Sequence, residues 1–259
     1  MTRSGCRAVF PRDRLTHSVL QDQGILSQDC GNPMMDGLES ASEFPEVLTA
    51  QQPLTLALLP GSRFPEAVRN WQLMVQSLVS VLTTFPDRPL KFLAAIAPSL
   101  NLDELIEVLS QQHWQPVNLP FPADPTAQTW HHAQATLTLT QRAFADCLHQ
   151  AQGAIAMAGT ATEQLVGLGK PAVTLPGQGP QFNPYFARRQ TYLLGESVIL
   201  VDQPDQVGPA LQNVFQDQAR LTAIARNGRE RLGVPGAAER IAKALIPIFA
   251  DGNGTKNFP

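Results

Sequence analysis

The residues best suited to chemistry lie in one short segment that follows an apolar run at residues 153–157. The segment reads Gly159-Thr160-Ala161-Thr162-Glu163-Gln164. Small residues and hydroxyls of this kind suit a turn into a helix, where unpaired backbone N–H groups can bind an anion or a ligand hydroxyl. We expect Thr160 or Thr162 to cap the helix, and Glu163 or Gln164 can accept hydrogen bonds from a ribose diol. The alternative is a plain capped helix whose glutamate completes its own capping box.

A second set of such residues, Pro60-Gly61-Ser62-Arg63, follows the apolar run at residues 54–59. Gly61 lets the backbone approach a ligand closely, and Ser62 can cap the helix that follows. Arg63 offers a planar cation that suits a diphosphate. The alternative is an ordinary strand-to-helix turn with a solvated arginine.

A third segment, residues 176–184, contains two glycines, three prolines and three side-chain amides. Gln181 and Asn183 can read sugar hydroxyls, because an amide both donates and accepts hydrogen bonds. The alternative is a connector stiffened by proline, in which Asn183 caps the next helix.

Several common catalytic patterns are absent from the sequence. There is no Gly-x-Gly-x-x-Gly fingerprint and no Gly-Lys-Ser/Thr loop, which argues against a nicotinamide enzyme and against an ATPase. No Ser-His-Asp order, metal-ligand cluster or carboxylate pair stands out. His113, His131 and His132 are interpreted as loop or surface residues. We therefore predict no metal and no cofactor, and the sequence assigns no catalytic residue.

Alternating strands and helices must position these three segments. Strands are predicted from the apolar runs at residues 54–59, 90–97, 136–140, 153–157, 171–175 and 198–201, with helices between them. Residues 113–134 read as irregular, with one short strand at most. The pattern predicts an α/β fold with a Rossmann-like, doubly wound parallel sheet of five or six strands. Because the three segments follow strands of one sheet, we expect them to converge at its carboxyl edge.

The chain divides into three parts by composition. Residues 1–52 contain one short strand near residues 7–10 and one helix near residues 16–23, which is too little for a hydrophobic core. Either they pack on the domain that follows, or they are the tail of a domain whose front is missing. The domain assignment takes them as a remnant of an N-terminal domain plus a linker. Residues 53–250 are predicted to form the Rossmann-like domain, and residues 251–259 a polar tail.

Composition also narrows the setting. The formal net charge is −3, and no basic run offers a track for a phosphate backbone, so nucleic acid is not an expected partner. Cys6, Cys30 and Cys147 fit no zinc or disulfide pattern, which indicates a reducing compartment. No signal peptide or run of about 18 apolar residues is present. We expect a cytoplasmic protein, with peripheral contact at the inner membrane face left open.

Taken together, the segments resemble the donor-binding half of GT-B glycosyltransferases. The likeness is greatest to lipid-A-disaccharide synthase and its related proteins, and more distant to the UDP-N-acetylglucosamine transferase of peptidoglycan synthesis. The matching pieces are Gly31-Asn32-Pro33-Met34-Met35-Asp36, Leu58-Leu59-Pro60-Gly61-Ser62-Arg63 with Glu66, Gly159-Thr160-Ala161-Thr162-Glu163-Gln164, and Gln181-Phe182-Asn183-Pro184.

The resemblance implies roles for individual residues. Members of that family have two Rossmann-like domains that face a cleft. The front domain binds the acceptor and supplies the general base, and the back domain binds the nucleotide sugar. By this resemblance, Arg63 and residues 159–162 hold the diphosphate, and Gln181 and Asn183 contact the donor sugar. The backbone near Thr140 faces the base of the nucleotide.

Two departures from the family pattern stand out. The family's ribose-binding glutamate falls on Gln164, with Glu163 one residue earlier, so the ribose contact is shared between the two positions. The front domain is nearly absent, because residues 1–36 resemble only its last strand, its last helix and the crossing into the back domain. The general base of the family has no counterpart in this sequence.

The resemblance implies inverting transfer of an N-acetylglucosamine-type sugar from UDP to a lipid acceptor, without a metal. We expect the chain to bind the donor but to turn over poorly, unless a partner chain supplies the front domain. Two alternatives stay open. One is a non-catalytic module that binds a nucleotide sugar or docks a partner through an exposed surface at Met34 and Met35. The other is a UDP-sugar 2-epimerase, which shares the fold.

Overall fold

An eight-stranded sheet lies at the centre of the structure, a computed structural model that describes residues 6–38 and 52–250. In chain order the strands are β1 Leu54–Leu59, β2 Leu90–Ala95, β3 Gln115–Val117, β4 Gln128–His132, β5 Ala135–Thr140, β6 Gly153–Ala156, β7 Ala172–Thr174 and β8 Val198–Leu200. They are arranged in the order β3-β4-β5-β2-β1-β6-β7-β8. The predicted α/β fold class is therefore confirmed.

Six of these strands are parallel, and they lie in the order β5-β2-β1-β6-β7-β8. The chain winds outward from β1 through β2 to β5, and then returns to place β6 on the other side of β1. Leu59 of β1 is in register with Ala156 of β6. The strand order thus reverses between β1 and β6, and ligands of open α/β sheets bind at such a switch point.

Helices cover both faces of the sheet. They are α1 Arg14–Asp22, α2 Glu66–Thr84, α3 Leu102–Gln111, α4 Phe144–Gln150, α5 Thr160–Gly167, α6 Pro184–Leu194, α7 Val207–Phe215, α8 Gln218–Leu232 and α9 Ala237–Ala250. The apolar residues of α2, among them Trp71, Met74 and Leu78, are fully buried against one face. The Trp71 indole N–H donates to the carbonyl of Leu105 at 3.0 Å, which fastens α2 to α3.

Strand β1 shows why the sheet must be covered on both sides. All six of its residues are buried. Leu54, Leu56 and Leu58 pack into the cluster that contains the α2 residues, whereas Ala57 and Leu59 pack into a second cluster on the opposite face. Alternate residues of a strand point to opposite faces, so a strand that is apolar throughout can only lie between two covering layers.

The prediction for residues 113–134 was wrong. This segment contains two strands, β3 and β4, which extend the sheet beyond β5 in antiparallel orientation. His132 pairs with Ala135, so Ala133 and Gln134 form a two-residue hairpin turn. Ala133 has a φ of 50°. Such turns normally have Asn or Gly where φ is positive. The sequence has neither residue at this turn, and for that reason the hairpin was not predicted.

Residues 30–38 pack directly on the Rossmann-like unit. Met35 is 1% exposed and is buried against Gly167 of α5, so the expected exposed methionine pair was wrong for Met35. Asp36 accepts hydrogen bonds from the N–H groups of Gly236, Ala237 and Ala238 at the start of α9. Burial tends to raise the pKa of Asp36, but these N–H donors outweigh it and hold the pKa below its ordinary value.

The remaining expectations for the N-terminal part divide in two. The predicted helix is α1, and it is capped by Asp13, which accepts from the backbone N–H of Thr16 at 2.7 Å. Residues 7–10 do not join the described sheet as a strand. The predicted linker and the polar tail fall at residues 39–51 and 251–259, outside the described residues. No helix in the described part of the chain has the length and apolar character needed to cross a membrane.

Candidate functional site

Three loops meet at the switch point, and we name each after the strand that it follows. They are the β1 loop (residues 60–65), the β6 loop (residues 157–159) and the β7 loop (residues 175–183). These contain most of the residues that the sequence selected. The convergence expected from the strand pattern is supported by side chains that bond the loops to one another.

Asn70 of α2 joins the β1 loop to the β6 loop. Its Nδ2 donates to the carbonyl of Pro60 at 3.0 Å and to the carbonyl of Met157 at 3.2 Å. The side chain is 1% exposed, and its Oδ1 has no hydrogen-bond partner among the described residues. That oxygen lies 3.0 Å from the position a Cβ would take on Gly177, so Asn70 also touches the β7 loop.

Glu66 holds the β7 loop from the first turn of α2. Its Oε1 accepts hydrogen bonds from the backbone N–H groups of Gln181, at 3.3 Å, and of Phe182. The carboxylate is buried, and any side chain at Gly179 would collide with it. The β7 loop is therefore closed onto α2 by a charged acceptor and a glycine.

The β6 loop leads into α5 with its carbonyl groups bonded and its amides free. The carbonyl of Ala158 accepts from Thr162 Oγ1 at 2.6 Å and from Gln190 Nε2 at 2.9 Å. Gln190 also donates to the carbonyl of Gly159 at 3.3 Å. Within the described residues, no acceptor is found for the backbone N–H groups of Gly159, Thr160 and Ala161. These amides are available to an anion at the helix N-terminus.

Two capping expectations were wrong. Gly159 is the N-cap residue of α5 and neither threonine caps it, because the Thr162 hydroxyl bonds back to Ala158 and Thr160 is exposed. Ser62 does not cap α2 either. That helix begins at Glu66 after Pro65, with no side-chain cap. The N-termini of both helices are therefore left without the side-chain acceptor that a capping residue would supply.

Arg63 and Gly61 occupy the outer part of the β1 loop. Gly61 has a φ of 96°, a conformation that favours glycine, and a Cβ there would lie 3.4 Å from the carbonyl oxygen of Met157. Arg63 and Ser62 are exposed. No ion pair or hydrogen bond restrains the Arg63 guanidinium within residues 6–38 and 52–250, so it is free to meet a ligand.

Glu163 and Gln164 differ in their surroundings. Glu163 is buried, and its Oε1 lies 3.4 Å from the guanidinium Nη2 of the half-exposed Arg12. Burial raises the pKa of Glu163 above its ordinary value, with Arg12 opposing the rise and Asp13 adding to it. Gln164 donates to the carbonyl of Met34 at 2.8 Å, which ties α5 to the N-terminal segment. Both positions lie on α5, and the assignment of the ribose contact between them stays a prediction.

Asn183 has the local role that the sequence left as an alternative. Its Oδ1 accepts from the N–H of Phe186 at 2.9 Å and caps α6. Gln181 is exposed, with its backbone N–H held by Glu66. A contact between the donor sugar and either side chain stays a prediction.

Thr140 lies at the same carboxyl edge but away from the switch point. Strand β5 is separated from β1 by β2, which places its end about 10 Å from the β1 loop. Thr140 is buried, and its hydroxyl donates to Asp124 Oδ2 at 2.6 Å. Burial tends to raise the pKa of Asp124, but the hydroxyls of Thr126 and Thr140 outweigh it and lower that pKa.

Three residues of the site were missed from the sequence: Glu66 as a loop anchor, Asn70 and Gln190. Glu66 and Asn70 are four residues apart on α2, so they lie on one face of the helix, and both are buried with Trp71. A polar pair at helical spacing on an otherwise apolar face was the signal that could have identified them. Gln190 offered a weaker signal, because it is a single polar residue between the buried Ala187 and Leu194 of α6.

A separate cavity of about 450 Å³ is lined by Lys91, Thr136 and Gln150 among others. Lys91 and Thr136 are near the amino ends of β2 and β5, so this cavity lies toward the opposite edge from the three loops. The described residues contain no group of three His, Cys, Asp or Glu side chains that could bind a metal ion.

Comparison with known proteins gives one curated relative of interest. The lipid-A-disaccharide synthase of Syntrophus aciditrophicus (strain SB) is 24% identical over 260 residues, an alignment that covers 89% of this chain and 60% of that protein. The chain thus spans well under two thirds of the length of this relative. No family model matches the chain.

Solved structures of similar fold complete the comparison. The MnaA–UDP co-structure from S. aureus has a TM-score of 0.58 at 12% identity and covers 97% of this chain and 62% of its own. The UDP-GlcNAc 2-epimerase of Neisseria meningitidis bound to UDP-GlcNAc has a TM-score of 0.57 at 15% identity, with coverage of 93% and 62%. At these identities the likeness shows the fold alone. The described chain has the fold of a GT-B-type Rossmann-like half.

Proposed function

We propose that the chain binds a UDP-sugar at the switch-point loops, as the donor-binding half of a glycosyltransferase of the lipid-A-disaccharide synthase type. One observation carries the proposal: Asn70 and Glu66 hold three loops together by hydrogen bonds at the point where the strand order reverses. Open α/β sheets bind ligands at such a point. The similarity to a lipid-A-disaccharide synthase supports the choice of protein class.

The geometry suits a diphosphate leaving group. The unpaired N–H groups of residues 159–161 and the positive end of α5 would stabilise the negative charge, and the free guanidinium of Arg63 would add a bidentate donor. Charge that develops on UDP during transfer is stabilised best by donors already in place. In this proposal Glu163 or Gln164 binds the ribose, and Gln181 or Asn183 binds the sugar.

The rest of the reaction would involve groups beyond this site. A lipid acceptor, peripheral contact with a membrane and a second domain that supplies the general base all belong to the proposal. A partner chain is one source of that domain. By this proposal the chain alone binds UDP but transfers sugar poorly.

Calorimetric titration with UDP tests the donor site, with GDP as the control nucleotide. We expect stoichiometric UDP binding that Arg63→Ala weakens about tenfold or more, which corresponds to about 1.4 kcal/mol or more. Arg226→Ala is the matched control, because it removes the same charge from an exposed position on α8. Failure of the folded wild-type chain to bind UDP would overturn the proposal.

The 2-epimerase alternative needs an activity assay. The epimerase structure shares the fold at 15% identity, which favours neither reaction over the other. Interconversion of UDP-N-acetylglucosamine and its 2-epimer by the purified chain would replace the transferase proposal. Binding without either reaction is what the proposal expects of the chain alone. Transfer restored by a partner chain that supplies the general base would then favour the transferase, and no transfer with such a partner would favour the non-catalytic binding module.

A further inference from the structure

We propose that Asn70, together with Gln190, makes the β6 loop selective for anions by holding its carbonyl groups away from the ligand. The inference rests on the proposed donor site and adds to it two buried residues that do not touch the donor. Each acts through the backbone of a loop, so both are positioning residues.

The contacts are concentrated on three consecutive carbonyl groups. Met157 accepts from Asn70 Nδ2, while Ala158 and Gly159 accept from Gln190 Nε2. A turn before a helix exposes both N–H and C=O groups, and a phosphate is attracted by the first and repelled by the second. Buried amides bond the carbonyl groups of Met157 and Ala158. The carbonyl of Gly159 is held mainly by the backbone N–H groups of Thr162 and Glu163, with Gln190 as an additional donor. The N–H groups of residues 159–161 are therefore the ones left for a ligand.

Asn70 has a second role in spacing. Its Nδ2 bonds the carbonyl of Pro60 as well as that of Met157, so one amide fixes the β1 loop relative to the β6 loop. Arg63 follows three residues after Pro60, and the free amides begin two residues after Met157. The separation between the backbones of the two loops is therefore set from the interior of the protein before any ligand arrives, while the Arg63 side chain stays free to reach the ligand.

The unpaired oxygens of the two amides indicate that their N–H donors are what these two positions require. Asn70 Oδ1 and Gln190 Oε1 are buried without partners among the described residues, on side chains that are 1% and 3% exposed. A buried acceptor without a donor is unfavourable, and an apolar side chain would avoid it. What an apolar side chain could not supply is the pair of N–H donors to the loop carbonyls.

Asn70→Asp is the variant that tests this inference, because it keeps the shape and replaces the donor with a carboxylate oxygen. Gln134→Glu is the matched control. Gln134 Nε2 also donates to two carbonyl groups, those of Leu82 at 3.1 Å and Phe85 at 3.2 Å, but it does so at the far end of α2. Asn70→Leu is the second variant, in case a carboxylate at position 70 prevents folding.

Two ligands and one ligand-free measurement are needed. UDP and inorganic pyrophosphate are titrated by calorimetry, and amide hydrogen exchange is followed at residues 60–63 and 157–161. We expect both substitutions at Asn70 to weaken binding of the ligands at least tenfold and to speed exchange in both loops together. Gln134→Glu should change these affinities less than twofold.

The outcomes separate this inference from the proposed function. If the wild-type chain binds UDP and the Asn70 variants bind it equally well, the positioning role is overturned while the donor site stands. If the wild-type chain binds pyrophosphate but not UDP, the donor proposal fails. The same variants then test the positioning role with pyrophosphate. A wild-type chain that binds neither ligand overturns both.

Discussion

Glu163 combines a buried carboxylate with a position on the helix that begins at the free amides. It is 6% exposed, and its ion pair is with Arg12, a residue of the N-terminal segment. Burial raises the pKa of Glu163 because the charged form loses water. A buried carboxylate with a raised pKa, on the helix that borders the proposed donor site, is a candidate for the proposed contact with ribose.

Glu163→Gln is expected to raise the free energy of unfolding at pH 7 by about 0.5–2 kcal/mol, because an amide is easier to bury than a carboxylate. The raised pKa fixes the pH dependence. The carboxyl of Glu163 stays protonated to a higher pH in the folded protein than in the unfolded chain. The free energy of unfolding of the wild-type protein therefore falls as the pH rises from 4.5 through the folded-state pKa. The gain from the substitution should therefore disappear near pH 4.

Urea unfolding at pH 4 and pH 7 measures this difference. Glu107→Gln, at an exposed position on α3, is the control and should change little at either pH. A loss of stability in Glu163→Gln at pH 7 would mean that the ion pair with Arg12 outweighs the burial. The same variant should bind UDP more weakly if Glu163 is the residue that holds the ribose.

Residue types at the loops could be predicted from the sequence, but their bonding partners could not. Gly61 and Arg63 stand where the pattern of a strand followed by a helix placed them. The role of Asn70 depends on Met157, which is 87 residues away. Hydrogen bonds of that separation depend on the sheet order, which local composition does not contain.

Helix α5 depends on the N-terminal segment at the scale of elements. Met35 fills the space left by the missing side chain of Gly167, and Gln164 bonds the carbonyl of Met34. The helix that leads out of the β6 loop is therefore packed on one side by residues that precede the first strand. This contact can be tested by refilling the space.

Gly167→Ala is expected to lower the free energy of unfolding by about 1–3 kcal/mol, because its Cβ would overlap the Met35 sulfur. Met35→Ala alone should cost about 2–5 kcal/mol through the cavity that it leaves. The double variant should cost less than the sum, because the new methyl group occupies part of that cavity. Thermal and urea unfolding of the four proteins give the coupling energy.

Gly228→Ala provides the control for this cycle. A Cβ at Gly228 would meet the carbonyl oxygen of Val166, which is backbone and cannot move aside. Met35→Ala should therefore give no relief in that background. Strict additivity in the Gly167 pair would contradict the contact between Met35 and α5.

The elements themselves were predictable to different degrees. Strands such as β1 and β6 are buried along their whole length and consist mostly of apolar residues, so they can be recognised without knowing their neighbours in the sheet. Strands β3 and β4 are short and carry Pro116 and two histidines, so their pairing comes from the edge of β5 and not from their own residues. Strands that are stabilised mainly by a neighbouring strand cannot be predicted well from their own residues.

At the scale of the whole molecule, the first and last described parts of the chain fasten to each other. The N–H of Asn32 donates to Leu232, Arg240 Nε donates to the carbonyl of Cys30 at 3.0 Å, and Asp36 caps α9. The predicted domain of residues 53–250 therefore shares its core with residues 30–38. The sequence left this packing as one of two alternatives and could not choose between them, because the contacts span about two hundred residues.

A chain truncated to residues 52–250 should be less stable than the full chain by at least about 3 kcal/mol, since it loses the burial of Met35 and the cap of α9. Guanidinium unfolding of both proteins measures the loss. The full-length double variant Met35→Ala with Asp36→Ala should reproduce most of it. Equal stability of the truncated and full chains would show that residues 30–38 are dispensable to the fold.

Helix α2 carries the apolar residues that cover one face of the sheet and also Glu66 and Asn70, which hold the loops. Random substitutions in this helix should therefore change expression yield and ligand affinity together. Variants selected for one of these traits should also be altered in the other. If the donor site is where we propose it, a library aimed at a new donor sugar should leave α2 unchanged. It should vary Gln178 and Gln181, whose exposed side chains can change without disturbing the scaffold. Under this proposal, the positions that can change ligand specificity without loss of stability lie in the β7 loop.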